Sequence, residues 1–436
     1  MSAFTYNARK LCRIGKKTRP ILVMTTVCLF LLVFKKSLLK LQNDYPQQQA
    51  VQKPIHERKL QELNAADQPV VTAPKNTSFH FQRTNNKLNK PKSKPVKKLK
   101  EPDDDPNANQ CYQTRDCARM KPVSPKLRKK RGCEKRLPDT LIVGVKKAGT
   151  SALKSFLCFH PDVIASHFEL HYFDVRYFLG IEWYFDNLPY ATSKQKVMEK
   201  TPKYFIYPDV PRKICDDISP NVKIIIIVRD PVTRAISDYV HEDESRARMK
   251  VEGQRKDRLT PSLSPEMEAI RNIHRRIDKQ NIERAGLNIY SKLGETFEDS
   301  VVDENGDVVR TNAIVDSGIY VVHILRWMEY FPRNQILIID GDAFIKDPVP
   351  ALQKVEDFIG VNSYFSRDNF YFDEEKHFYC VSKPEKSCMP KVKGRKHPNI
   401  DPKVLKKLRE FYKPYDKWLV EVTGQNYTWM KYDKEF

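Results

Sequence analysis

No Cys-x-x-Cys pair and no cysteine–histidine spacing suited to zinc occurs in the 436 residues, so the nine cysteines do not read as a metal centre. Also missing is the Gly-Lys-Ser/Thr ending of a Walker A loop, which argues against a P-loop NTPase. There is no carboxylate cluster of the kind that holds magnesium or calcium, so no metal is expected. Internal repeats are absent. No apolar run reaches the roughly 20 residues of a full plasma-membrane span. Large apolar residues are scarce across 42–135, where Gln, Lys, Pro, Asn and Asp dominate; such a stretch cannot bury a core and reads as a stem.

What the chain does have is positive charge, a net +22. That implies a polyanionic partner: nucleic acid, an anionic membrane face or an acidic polysaccharide. Charge alone does not choose among them, and part of the excess sits in solvated lysines of 87–100.

Residues 21–34 form an uncharged apolar run with Arg9, Lys10, Arg13, Lys16, Lys17 and Arg19 before it and Lys35, Lys36 and Lys40 after it. The run suits a thin secretory-pathway bilayer with lysines snorkelling at its ends. No small-residue cleavage site follows, which favours an uncleaved signal anchor, and the N-terminal positive excess places the short tail in the cytosol. The expected organisation is a cytosolic tail at 1–20, a membrane helix at 21–36, a largely disordered stem at 37–136 and a lumenal domain at 137–436. Sequons at Asn76 and Asn426 agree with a lumenal location. Cys111, Cys117 and Cys133 then suggest one bridge and a spare thiol, while Cys158 and Cys215 fall in apolar contexts that suit free core thiols.

Within the domain, residues 140–145 (TLIVGV), 222–228 (VKIIIIV) and 336–339 (ILII) are short apolar runs, each followed by a turn and a helical pattern. Near-continuous apolar runs alternating with helices give an α/β fold with a central parallel sheet flanked by helices, its ligands at the carboxyl ends of the strands. Residues 318–331 and 402–422 read as helices. The charged segment 242–280 has almost no apolar spacing in its first half and reads as an exposed, partly disordered insertion.

The loop Gly144-Val-Lys-Lys-Ala-Gly-Thr150 lies between a buried strand and a helix N-terminus, where free amides and the helix dipole favour an anion. Arg229, at the end of the second apolar run, and Ser237 on the helix after it suit a second phosphate. Two phosphate sites at adjacent strand ends describe a nucleotide bisphosphate.

Several motifs in one order then resemble the heparan sulfate glucosamine 3-O-sulfotransferases, a family of lumenal sulfotransferases: GVKKAGTSAL from Gly144, HPDV from His160, ELHYFD from Glu169, EKTPKYF from Glu199, VRDPVTRAISDY from Val228, FYC from Phe378 and KGRKHPNIDP from Lys393. The resemblance implies a single P-loop-like sulfotransferase domain in a Golgi membrane protein of type II. Its donor would be 3′-phosphoadenosine 5′-phosphosulfate and its partner heparan sulfate, with no nucleic acid. By resemblance, Lys147, Ala148, Gly149, Thr150 and Ser151 hold the 5′-phosphosulfate and Arg229 and Ser237 the 3′-phosphate. Tyr379 with Lys393, Gly394, Arg395, Lys396 and His397 folds over the nucleotide, and Cys380 pairs with Cys388. Glu169 corresponds to the general base, with His171, Asp174 and Lys200 around it and Arg326 and Trp327 near the acceptor.

Sulfuryl transfer calls for these types: an in-line hydroxyl, a base for its proton, and cations on the sulfuryl oxygens and the leaving phosphate. Lys147 supplies a cation, and Lys200 orients either Glu169 or the bridging oxygen. Nearby cations lower the pKa of Glu169 while desolvation raises it, and the sequence leaves that balance open. His171 also reads as a plain loop hydrogen-bonder, and Trp327 as core. The chain departs from the family at Ala148 and Ser151, where Gly and Arg are usual, and in the longer charged segment after Tyr239. An N-sulfotransferase, another glycosaminoglycan O-sulfotransferase, or a non-catalytic heparan-binding lumenal protein are the rival readings.

Overall fold

A computed structural model describes residues 111–252, 262–285, 293–389 and 398–430. The predicted apolar run at 21–34, the cytosolic tail and Asn76 lie outside the described residues. Among the described residues, no helix is long and apolar enough to cross a membrane.

The strands are β1 (Glu134–Lys135), β2 (Thr140–Gly144), β3 (Val163–Ala165), β4 (Tyr190–Ala191), β5 (Lys196–Lys200), β6 (Lys223–Val228), β7 (Ile336–Asp340), β8 (Phe370–Asp373) and β9 (Phe378–Val381). Five form a wholly parallel sheet in the order β3-β5-β2-β6-β7. Every residue of β2 is buried, as are five of the six in β6, which accounts for unbroken apolar runs rather than alternation. Ile142 of β2 stands opposite Lys200 of β5 on one side and Ile225 of β6 on the other. The chain runs from β2 to the edge strand β3, returns to β5 beside β2, then crosses β2 to β6 and β7. The carboxyl end of β2 is therefore the point where the strand order reverses, the place where an open α/β sheet leaves a crevice for ligand.

Helices carry the connections: α1 (Pro125–Lys130), α2 (Thr150–Leu157), α3 (Pro231–Glu252), α4 (Pro265–Arg284), α5 (Tyr320–Met328), α6 (Gly341–Lys346), α7 (Pro348–Ile359) and α8 (Pro402–Thr423). On α8, Leu408, Tyr412 and Leu419 face inward, with the Tyr412 hydroxyl donating to the carbonyl of Val315 at 2.8 Å. Antiparallel β8 and β9 form a hairpin clamped by the expected Cys380–Cys388 disulfide.

Two expectations change. Residues 111–136, assigned to the stem by composition, are folded against the domain. Cys111 bonds Cys133, Cys117 bonds Cys158 at the end of α2, β1 pairs with β4, and the buried Arg115 donates to the carbonyl of Phe159 at 3.2 Å. Neither Cys117 nor Cys158 is thus a spare thiol. A few anchors, Cys111, Tyr112, Arg115 and Cys117, fix this segment, and averaging over its lysines conceals them.

The charged segment is helical through Glu252 and again in α4. Local pairs replace apolar spacing there: Arg246 with Asp243 at 2.7 Å, Arg271 with Glu268, and a Ser264 side chain that caps α4 just ahead of a proline.

Candidate active site

The loop leaving β2 is held from below by buried charge. Arg234, on α3 and wholly enclosed, donates to the carbonyl of Lys146 at 3.4 Å, to Asp238 at 2.9 Å, and to the carbonyl of Ile314. Lys146 pairs with Asp238 at 2.8 Å and with Glu242. Burial alone would push the Lys146 ammonium down, but the two carboxylates outweigh it and hold its pKa above the ordinary value. With its base fixed, the loop turns through left-handed backbone at Lys147 (φ 69°) and Gly149 (φ 113°). A lysine in that region is uncommon and marks a loop shaped by its surroundings. Gly149 is the N-cap of α2 and gives the helix no side-chain cap, so the first-turn amides are left without a side-chain acceptor, the condition under which a helix N-terminus takes an anion.

Arg229, at the end of β6, donates to the carbonyl of Lys147 at 3.4 Å, and its Nε lies 3.5 Å from Asp342. The other oxygen of Asp342 accepts from the amide of Asp230 at 2.7 Å. The predicted first and second phosphate elements are thus joined through one guanidinium. Ser237 sits half-buried on α3.

Across β2, the end of β5 brings Lys200 to Glu169 and within 3.4 Å of the Ser151 hydroxyl. His171 completes the group, its Nε2 3.4 Å from Glu169 and its Nδ1 2.8 Å from Asp174. Left-handed backbone at His171 (φ 50°) starts a single π-turn, Tyr172–Arg176, that folds Asp174 back under the imidazole. Burial raises the Glu169 carboxyl, yet His171 and Lys200 together hold it well below the usual carboxylate range. Burial lowers His171, yet Asp174 and Glu169 carry it up to about 9. Beneath them, fully buried Glu199 is pushed up to about 7 by desolvation and accepts from the Thr201 hydroxyl at 2.5 Å.

Of the remaining predicted residues, Tyr379 on β9 is half-buried with its ring 5.3 Å from that of Phe372. Lys393, Gly394, Arg395, Lys396 and His397 lie outside the described residues. Asn426 is exposed. Trp327 does not face an acceptor: it is wholly buried on α5, its indole donating to the carbonyl of Phe205 at 3.2 Å. Arg326 beside it is committed to the carbonyl of Ile206 at 3.2 Å and His323 at 3.3 Å. The apolar periodicity of α5 turns this face to the sheet. Sequence reading passed over Arg234, Asp238 and Asp342, although an Arg/Asp pair four apart directly after a strand-ending Arg-Asp-Pro, and Asp-Gly-Asp at the end of β7, are visible in it.

A family model described as "Sulfotransferase domain" matches residues 137–425. Human heparan sulfate glucosamine 3-O-sulfotransferase 3B1 is 36% identical over 299 residues, covering 68% of this chain and 65% of the relative. Mouse heparan sulfate glucosamine 3-O-sulfotransferase 5 is 35% identical over 299 residues, covering 67% and 74%. The chain spans just under two thirds of the length of the human 3B1 and 3A1 relatives, at 65% and 63%. Among solved structures, a sulfotransferase from Alicyclobacillus acidocaldarius aligns over 67% of this chain and 97% of its own length, at 20% identity and a TM-score of 0.42.

Proposed function

Because the chain belongs to the sulfotransferase domain family, among the heparan sulfate glucosamine 3-O-sulfotransferases, we propose that it transfers a sulfuryl group from 3′-phosphoadenosine 5′-phosphosulfate to the 3-hydroxyl of glucosamine units in heparan sulfate. The observation that carries the reading is the meeting of Glu169, His171 and Lys200 beside Ser151, at the strand-order reversal that also holds the anion-ready loop.

In this reading the donor's 5′-phosphosulfate rests on the amides of 149–151 and on Lys147, and its 3′-phosphate meets Arg229 and Ser237. The acceptor oxygen bonds to sulfur while the bond from sulfur to the bridging phosphate oxygen breaks. The hydroxyl proton passes to Glu169, and adenosine 3′,5′-bisphosphate leaves with the electron pair. A carboxylate held between two cations is a weak base, so one of them has to turn away before Glu169 accepts a proton. Lys200 suits that exchange, since its ammonium already lies between Glu169 and the Ser151 end of the loop. On bound donor it would meet the sulfuryl or bridging oxygen, raising the pKa of Glu169 as it neutralises the leaving group. His171, locked by Asp174, keeps the carboxylate aimed. The three disulfides among the described residues suit an oxidising lumen, consistent with the proposed type II Golgi placement.

The test is transfer of labelled sulfate to heparan sulfate by the purified lumenal region, with disaccharide analysis of the product. Label on the glucosamine 3-hydroxyl is expected. Label on nitrogen or O-6 would leave a sulfotransferase of other regiochemistry, and no label with intact bisphosphate binding would leave a non-catalytic binder. Glu169→Gln is expected to lower kcat by about a thousandfold, mid-range for a general base, while adenosine 3′,5′-bisphosphate binding stays within about twofold, a change under 0.5 kcal/mol. Full transfer by that variant would remove Glu169 as base.

A further inference from the structure

One buried cation beside the site is used by neither donor binding nor proton transfer. Lys154 lies on α2 one turn beyond Ser151, so the two share a helix face. Its residue is 7% exposed, and its ammonium donates to the carbonyl of His167 at 2.9 Å. Among the described residues no carboxylate lies within ion-pairing distance of it. The charged groups facing it are Lys200 and Glu199 from β5 and Glu169 from the segment after β3, and desolvation, followed by Lys200, lowers its pKa to about 8. Burying an ammonium against a neutral carbonyl costs free energy that a methionine of similar shape would not incur.

What this lysine grips is the strap that carries Glu169. Residues 167 and 168 are exposed, Phe168 by 54%. The strap's main chain is otherwise held at its two ends, where the Ser166 amide donates to the carbonyl of Met198 at 2.9 Å and Arg176 donates to the carbonyl of Leu170 at 2.7 Å; between them His167 Nδ1 meets the carbonyl of Cys117 and the Ser166 hydroxyl donates to the carbonyl of Phe168 at 3.0 Å. Two residues on, Glu169 must meet an acceptor hydroxyl within a few tenths of an ångström. Lys200 links the Glu169 carboxylate to Ser151 on the same helix, and Lys154 is the fastening that ties the strap's main chain to it.

We propose that Lys154 is a positioning residue for Glu169: its ammonium ties the His167 carbonyl to α2 and so fixes the carboxylate relative to the donor loop. The inference rests on the proposed function for its consequence in catalysis but not for its geometry, and two readouts separate them. The first is amide hydrogen exchange of the free lumenal region. In Lys154→Met, exchange across 166–170 should rise by about tenfold, while Lys154→Arg, which keeps a charged donor, should stay near wild type. The melting temperature of Lys154→Met should be unchanged or higher. The second is kinetics on heparan sulfate. In Lys154→Met, kcat should fall by about tenfold with donor KM unchanged. In Lys154→Arg the alkaline loss of kcat near pH 8 should move upward, because a guanidinium does not titrate there.

Unchanged strap exchange in Lys154→Met overturns the proposal, as does a drop in melting temperature with exchange rising across the whole of α2, which is the mark of a merely structural lysine. A wild-type protein that fails to label heparan sulfate but shows the exchange pattern overturns the proposed function and leaves the tie standing.

Discussion

At the scale of the residue, the site is a set of charges that fix one another's protonation. His171 holds its proton more tightly in the folded chain than in the unfolded one, because its pKa is carried up to about 9 by Asp174 and Glu169 against the pull of burial. Its contribution to stability is therefore complete below the unfolded value near 6.5 and is lost as pH rises through about 9. Melting temperatures taken from pH 6.5 to 9.5 should fall, and His171→Gln should flatten that decline. An equal slope in the variant would mean that another group binds the proton. Glu199 acts in the same direction at lower pH, its burial-raised pKa of about 7 favouring the folded state at acid pH, and Lys154, lowered to about 8, acts in the opposite direction above that value, so it is the difference between wild type and His171→Gln that isolates the histidine. Little of this was legible beforehand. The sequence offers His171 and Asp174 at a spacing of three, but the left-handed turn that brings both imidazole nitrogens onto carboxylates depends on the π-turn and on Thr201, whose hydroxyl meets the His171 amide at 3.4 Å.

Among elements, the crevice depends on how closely α6 approaches the loop. A Cβ built at Gly341 would lie 2.5 Å from the carbonyl oxygen of Ala148 and 2.8 Å from that of Val228. Both are main-chain atoms at the ends of the two phosphate elements, so neither moves without the loop. Gly341→Ala should cost about 2 kcal/mol and weaken adenosine 3′,5′-bisphosphate binding by about tenfold or more, about 1.4 kcal/mol, measured by calorimetry beside a thermal melt. A variant that melts lower but binds normally would show that the loop does not lean on this contact. The strands that frame the crevice were legible in unequal measure. β2, β6 and β7 announce themselves as apolar runs because both faces are covered. β3 has only three residues, and β5 reads Lys-Val-Met-Glu-Lys, an unlikely strand until Glu199 and Lys200 are seen to be site residues at its carboxyl end. α5 decides between two readings: Trp327 reads as acceptor contact or as core, and the helix buries it because its apolar stripe belongs to the core.

For the whole molecule, the Cys117–Cys158 disulfide joins a segment outside the family match to the far end of α2, the helix that starts at the donor loop. The same segment offers the Cys117 carbonyl to His167 on the strap that bears Glu169. A recombinant domain trimmed at Leu137, where the family match begins, would therefore lose one anchor of its catalytic strap and leave Cys158 as an unpaired thiol. Starting instead just before Cys111 should raise the melting temperature, by an amount corresponding to about 4 kcal/mol for a bridge of this span, and should restore kcat to the trimmed protein. Matched activity and stability in the two lengths would show that the segment is dispensable. Where to cut this gene for expression is thus set by a cysteine 20 residues upstream of the recognisable domain, and an oxidising host becomes a condition for obtaining an active site at all.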